Sequence, residues 1–130
     1  MSADEITLTL PRLRPYTRIA HLVLGGLAVR LDLTFESLED LQLALAGLLD
    51  RPDGEGFVTL MLSVEPERIR ASVGPFDEGV RAELERDEAG EAEGVGLRRV
   101  LDTVVDDVAL GSRADGYWVE LTKNVATARS

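Results

Sequence analysis

The sequence contains no cysteine and a single histidine, His21, in 130 residues. Disulfide bonds, thiolate metal sites and a cysteine nucleophile are therefore excluded, and one chain cannot build a metal site from several histidines. The lack of cysteine is compatible with a reducing compartment, so we expect a cytoplasmic protein. The acidic N-terminal residues lack the basic and then apolar pattern of a signal peptide, which agrees with this expectation.

Aromatic residues and positive charges are also scarce. Aromatic side chains make up 5% of the chain, so leucine, valine, alanine and isoleucine must build the core. The 14 basic residues are outnumbered by 24 acidic residues, which gives a net charge of −10 at pH 7. Such a surface repels the phosphates of nucleic acids and anionic lipids and favours a basic protein partner. No apolar run is long enough to span a bilayer, and we expect neither nucleic acid nor a membrane as partner.

The spacing of the apolar residues predicts the order strand, helix, helix, strand, strand, short helix, helix, strand, strand. The predicted strands cover residues 5–10, 57–64, 68–73, 106–110 and 117–122, and the predicted helices cover residues 16–31, 37–51, 77–86 and 97–108. This order lacks the strict alternation of a parallel doubly wound fold. We therefore predict an α+β two-layer sandwich, in which helices cover one face of a mostly antiparallel mixed sheet, and a single domain spanning residues 1–130.

The first predicted helix carries a pair of glycines within an apolar stripe. The stripe is predicted from Ile19, Leu22, Val23, Leu27 and Leu31. Gly25 and Gly26 each weaken a helix by roughly 1 kcal/mol relative to alanine. We interpret them as points of close packing against a neighbouring backbone rather than as a phosphate-binding loop. His21 is expected to be a surface or packed residue, because no nearby serine or aspartate completes a catalytic triad.

Two further segments have a recognisable local pattern. The second predicted helix begins with Ser37-Leu38-Glu39-Asp40, which has the form of a capping box. Residues 77–93 contain eight acidic and two basic residues, and we expect a short helix there followed by a mobile, solvated connection.

A glycine turn, Gly94-Val95-Gly96, precedes the helix that begins near Leu97. Such a turn leaves backbone N–H groups free and can bind a phosphate, and Arg98 stands close to it. An ordinary glycine-bearing helix start has the same appearance, since a lone glycine motif is a weak signal.

The order of the elements, together with residues 38–45, 93–100 and 115–121, resembles the anti-sigma-factor serine kinases of bacterial partner-switching systems. These kinases are a branch of the histidine-kinase-like (Bergerat-fold) ATPases, and the resemblance covers nearly the whole chain. It implies the corresponding fold, a nucleotide site for ATP and magnesium, and a role in transcription control. The partners it implies are a sigma factor, an anti-anti-sigma protein or a related kinase, and a homodimer is also plausible.

The residues that the resemblance assigns to catalysis are absent at the matching positions. In the family, a glutamate acts as the catalytic base, and an asparagine four residues later binds magnesium. This chain has Gly47 and Arg51 at the matching positions. Glycine cannot take a proton, and a guanidinium has no acceptor atom for a cation. The family's adenine-binding aspartate lies before an aromatic residue, whereas Asp77 follows one, so we assign no adenine role to Asp77 or Ser72.

The sequence therefore predicts a regulatory protein-binding module that has lost its ATPase chemistry, with no catalytic residue, no metal site and no cofactor. The remaining candidates for nucleotide binding form a vestigial turn made of Gly94, Gly96, Leu97 and Arg98. One alternative is an active serine/threonine kinase that binds ATP and magnesium through displaced carboxylates, with Glu36, Glu39, Asp40 and Asp53 as candidates. Another is a module that binds a different small ligand in the vestigial pocket.

Overall fold

The computed structural model describes residues 4–49, 56–88 and 96–125. The described elements follow the predicted order. They are β1 (Asp4–Pro11), α1 (Arg14–Leu31), α2 (Phe35–Leu49), β2 (Phe57–Val64), β3 (Arg68–Phe76), α3 (Glu78–Glu88), α4 (Leu97–Val104), β4 (Asp107–Arg113) and β5 (Gly116–Asn124).

The strands form one five-stranded sheet in the order β1-β2-β3-β5-β4. Each neighbouring pair of described strands is antiparallel. The sequence predicted a mostly antiparallel mixed sheet, but the described strands include no parallel pair. The α+β two-layer sandwich predicted from the element order is confirmed.

The core lies between the helices and one face of the sheet. Alternate residues of the strands point into it, and their most buried members are Leu60, Leu62, Ile69, Val73, Val119 and Leu121. On the opposite face the strands present mainly polar residues, so that Glu5, Ser63, Arg70 and Thr122 form one row across four strands. This division into one dry and one wet face is typical of an antiparallel sheet covered on a single side.

Helix α1 turns a different face to the core from the one predicted. The residues buried along it are Thr17, Ala20, Leu24, Leu27 and Ala28. Ile19 and Leu22 of the predicted stripe are 38% and 74% exposed, whereas Leu27 of the same stripe is buried. The prediction was wrong because α1 has more apolar residues than one stripe needs, and two overlapping stripes share its spacing. Small residues such as Ala20 let α1 lie close to the layer beneath it.

Helix α2 begins two residues earlier than predicted, and its N-terminal cap is a different residue. The Thr34 hydroxyl oxygen accepts a hydrogen bond from the Ser37 amide at 3.2 Å, and the amide of Leu38 donates to the Thr34 carbonyl at 3.1 Å. The predicted capping box at Ser37 is therefore wrong, because Ser37 lies inside the first turn and Thr34 satisfies the free N–H group. Further along α2, the Asp40 carboxylate is held by Lys123 of β5 at 3.0 Å.

In the C-terminal half, strands replace part of a predicted helix and part of a predicted loop. Helix α4 ends at Val104 rather than at residue 108, and Val108 lies in β4 as one of its buried residues. The valines fit a helical and an alternating pattern equally well, and β-branched residues favour the strand. Strands β4 and β5 run into a tight turn at Ala114 and Asp115, so the loop predicted for residues 111–116 is shorter than expected.

No helix within the described residues is both long enough and apolar enough to cross a membrane. The short helix predicted in the acidic segment is present as α3, whereas the connection that follows it lies outside the described residues.

Candidate functional site

Leu97 packs against the position that the resemblance assigns to a catalytic glutamate. Gly47 lies in α2 and faces Leu97, the first residue of α4. A Cβ atom built on Gly47 would stand 3.1 Å from Leu97 Cδ1, which is closer than an ordinary van der Waals contact. The two helices approach this closely because residue 47 has no side chain. Any side chain at this position would require the end of Leu97 to shift by a few tenths of an ångström.

The vestigial turn is only partly within the described residues. Gly94 lies outside them, as does Arg51, the residue at the magnesium position. Gly96 is the N-terminal cap of α4, and its carbonyl accepts a hydrogen bond from the Val100 amide at 3.1 Å. Its φ of −80° and ψ of 165° are extended values that any residue adopts, so this conformation does not require a glycine.

The two other residues of the turn make contacts within the protein. Leu97 packs against Gly47, as described above. The Arg98 side chain lies along its own helix, and its Nε donates to the Asp102 carboxylate at 3.2 Å. An i,i+4 pair of this kind is a common surface interaction that stabilises a helix modestly.

Asp77, which follows the hairpin, acts as a helix cap. Its carboxylate Oδ1 accepts a hydrogen bond from the Gly79 amide at 2.9 Å, in the first turn of α3. Carboxylates at this position satisfy free N–H groups and interact favourably with the helix dipole. Ser72 lies on the uncovered face of the sheet, where it pairs with Met61 and Glu120 across neighbouring strands.

Gly74, near the end of β3, packs against a tryptophan. A Cβ atom on Gly74 would come within 2.6 Å of Trp118 Cδ2, so the glycine makes room for the indole ring on the uncovered face of the sheet. The Trp118 indole N–H donates to Asp115 Oδ1 at 2.9 Å. The guanidinium of Arg113 lies 4.2 Å from the centre of the ring and adds a cation–π contact. The sequence alone did not connect Trp118 with Gly74.

Charged groups around α3 hold one another in place. Arg81 donates to the carboxylates of Glu78 and Glu85, at 2.6 Å in each case, and stands above the ring of Tyr117. Hydrogen bonds from Arg81 and then from the Tyr117 hydroxyl lower the pKa of Glu78. The hydrogen bond to Glu78 raises the pKa of Tyr117, and the same carboxylate raises the pKa of Arg81.

Three of the four remaining candidate carboxylates lie near the N-terminal end of α2. Glu36 and Glu39 are exposed on α2, Asp40 is bonded to Lys123, and Asp53 lies outside the described residues. Within the described ranges, no group of three or more acidic or histidine side chains is placed to hold a metal ion. His21 is half-buried on α1, and its predicted surface or packed role stays a prediction.

Comparison with known proteins gives one consistent result. The serine-protein kinase RsbW of Listeria monocytogenes serovar 1/2a is 29% identical over 145 aligned residues, which span 94% of this chain and 88% of the relative. The serine-protein kinase RsbW of Listeria innocua is 28% identical over the same shares of the two chains. No family model matches the chain. The similarity to these kinases over nearly the whole chain confirms the resemblance to the anti-sigma-factor serine kinases that the motifs predicted.

Proposed function

We propose that this protein is a regulatory protein-binding module of the cytoplasm that has lost ATPase and kinase chemistry. It would act in partner-switching control of transcription by binding a sigma factor, an anti-anti-sigma protein or a related kinase. The whole chain would work as a single domain, and neither a nucleotide nor a metal ion would be needed for binding. We assign the interface of a homodimer to the outer edge of β1, which is the first strand in the sheet order.

The contact between Gly47 and Leu97 is the observation that carries this proposal. The position of the catalytic base is taken by a glycine, and a terminal methyl group of Leu97 lies 3.1 Å from the point where a Cβ would stand. Phosphoryl transfer depends almost entirely on positioning and on stabilising charge. A chain without the base therefore has little means of accelerating the reaction, even if a nucleotide reaches the site.

The contacts of the neighbouring residues support the same conclusion. Asp77 caps α3, Gly74 accommodates Trp118, and Arg98 is paired with Asp102. Each of these residues has a structural role that accounts for it without a ligand. The acidic charge of residues 77–93 would also repel a triphosphate, because unit charges about 4 Å apart repel by about 1 kcal/mol even in bulk water.

Calorimetric titration of the full chain with ATP and with ADP, each with magnesium, tests the loss of nucleotide binding. We expect no heat of binding and no rise in melting temperature at millimolar nucleotide. Micromolar, magnesium-dependent binding that a Gly96→Leu substitution abolishes would contradict the proposal. Thr103→Ala serves as the matched control, because Thr103 is an exposed residue of α4 whose hydroxyl donates to the Arg99 carbonyl, outside the turn.

The regulatory role is tested separately by measuring binding to the purified sigma factors and anti-anti-sigma proteins of the source organism. We expect one of them to bind in the absence of nucleotide and to remain unphosphorylated when labelled ATP is added. Failure of every such protein to bind would contradict the protein-binding role.

An active serine/threonine kinase is the second candidate function, and the similarity to proteins named serine-protein kinases favours it. In that case one of the exposed carboxylates on α2, Glu36 or Glu39, would have to replace the missing base. Transfer of labelled phosphate to a bound partner, lost on Glu36→Gln or Glu39→Gln, would establish this alternative.

A further inference from the structure

The uncovered face of the sheet contains a pocket of about 290 Å³, which we call the sheet pocket. Four neighbouring strands, β1, β2, β3 and β5, contribute residues to it. It lies on the opposite side of the sheet from the helices, and so away from Gly47 and the start of α4. Pockets that hold drug-sized molecules measure about 300–1,000 Å³, so a pocket of this size fits only a small ligand.

A short side chain forms the floor of the sheet pocket. Ser63 on β2 stands between Glu5 on β1 and Arg70 on β3, because the three residues are cross-strand partners in one row. The neighbouring Leu62 contributes its backbone, since its own side chain is buried in the core. Met61 lies on the same face two residues before Ser63, is 41% exposed, and gives the sheet pocket an apolar wall.

Two opposite charges stand on either side of this floor. Neighbouring strands are 4.7–4.9 Å apart, so the Cα atoms of Glu5 and Arg70, two strands apart, are separated by about 9–10 Å. Within the described residues Glu5 has no ion-pair partner. Arg70 is held from outside the sheet pocket, because its Nε donates to Glu65 Oε2 at 3.1 Å. The carboxylate and the guanidinium therefore face a gap that neither of them closes.

The other charges on this part of the face have partners or lie elsewhere. Glu120 lines the far end of the sheet pocket, and Arg113 stands 3.5 Å from its carboxylate. Arg68 is paired with Glu65 at 3.5 Å, and Asp107 lies on β4 outside the sheet pocket. Partnered charges contribute less to the local field than unpartnered ones. The field above the floor is therefore set mainly by the two opposite charges on its sides.

We propose that the sheet pocket binds a free α-amino acid with an apolar side chain. The ammonium group of the ligand would donate to Glu5, its carboxylate would accept from Arg70, and its side chain would lie against Met61. Hydrogen bonds between ionised groups are the stronger ones, and the hydroxyl of Ser63 can serve either end of the ligand. A ligand with a single charge would meet a like charge on one side. The proposal does not depend on the proposed loss of ATPase chemistry.

An NMR titration of the ¹⁵N-labelled full chain with L-leucine, at constant pH and ionic strength, tests the site and its charge preference. We expect saturable amide shifts confined to residues 5–7, 61–63 and 70–72 and to the neighbourhood of Glu120. N-acetyl-L-leucine lacks the ammonium group and L-leucinamide lacks the carboxylate, so each should bind at least about tenfold more weakly than leucine. Glycine should also bind more weakly, because it makes no contact with Met61.

Two variants test the assignment of the charges. Glu5→Gln should weaken leucine binding and abolish the preference for leucine over N-acetyl-L-leucine. Arg70→Gln should abolish the preference for leucine over L-leucinamide. Asp107→Asn is the matched control, because it removes an exposed carboxylate from the same row of the sheet outside the sheet pocket, and it should leave every affinity unchanged.

A third variant tests the shape. Ser63→Leu fills the floor of the sheet pocket and should abolish leucine binding, whereas Thr122→Leu places the same side chain in the same row outside it and should not. Circular dichroism checks that both variants fold.

The proposal is overturned by any of four results. They are the absence of saturable shifts at millimolar leucine, shifts that map to the helices, equal affinity for leucine and its two blocked forms, and unchanged affinity of Ser63→Leu.

Discussion

Two glycine sites on neighbouring helices differ in what surrounds them. At Gly47 in α2 an added Cβ would stand 3.1 Å from Leu97, whereas at Gly25 and Gly26 in α1 it would meet nothing within 4 Å. The first site is explained by packing inside the chain, and the second is not, so the close packing predicted at Gly25 and Gly26 is wrong. The residue type alone therefore does not reveal whether a glycine permits an internal contact or leaves a surface open, and the neighbouring atoms decide the matter.

The largest expected effect is at the closed site. Gly47→Leu should lower the free energy of unfolding by about 2–3 kcal/mol, because the Cβ alone would stand 3.1 Å from Leu97 Cδ1 and the larger side chain overpacks the contact between α2 and α4. Urea denaturation followed by circular dichroism measures the change. Combining it with Leu97→Ala should restore part of the loss by making space, and strictly additive effects of the two substitutions would contradict the contact.

A smaller effect is expected at the glycine beneath the indole ring. Gly74→Ala should destabilise the fold by about 1–2 kcal/mol, because the new methyl group overlaps Trp118 while Asp115 and Arg113 hold the ring in place. Thermal melting reports the change. Ser72→Ala, on the same strand and face, should stay near the wild-type melting temperature, and an equal loss in both variants would disprove the steric explanation.

The open site should respond in the opposite direction. Gly25→Ala and Gly26→Ala should each raise the free energy of unfolding by about 0.5–1 kcal/mol, since alanine favours the helix and has room at both positions. Both variants should melt at a higher temperature than the wild type. A fall in melting temperature would mean that the glycines are required by the fold, and the contrast with Gly47 would disappear.

The weakest expected effect concerns the exposed carboxylate of Glu78. The pKa of this group is lower in the folded chain than its ordinary value, chiefly because Arg81 donates to it. Its contribution to stability is therefore present above the ordinary carboxyl pKa and is lost as the pH falls through the lowered native value. Glu78→Gln should remove this part of the acid dependence, as seen in denaturation curves collected from neutral to acid pH at low salt.

The order of the elements could be predicted from the sequence because each alternating or helical stripe is long enough to identify its element. The boundaries of α4 and β4 could not, since the valines from Val104 to Val108 satisfy both periods. The buried face of α1 could not be predicted from the spacing of its apolar residues either. Ile19 and Leu22 are as apolar as Leu24 and Leu27, and only the position of the sheet and of α2 selects the buried set.

The candidate site was predicted mainly through what it lacks. The absence of a base at Gly47 is visible in the sequence, but its contact with Leu97 joins residues far apart in the chain and needs the fold. Trp118 and Gly74 are likewise separated in sequence, and nothing local links them. The signal that could have revealed them is the pairing of β3 with β5, which follows once the strand order is known.

Trp118 and its surroundings give the protein an intrinsic fluorescence probe. It is the only tryptophan in the chain, it is 6% exposed, and its N–H group and ring face both have partners. Its fluorescence emission will therefore report on the uncovered face of the sheet and not on the helices. A ligand that approaches the helices should leave this fluorescence unchanged, whereas one that approaches the sheet should quench or shift it. A single cuvette measurement can thus tell which side of the protein a newly found partner occupies.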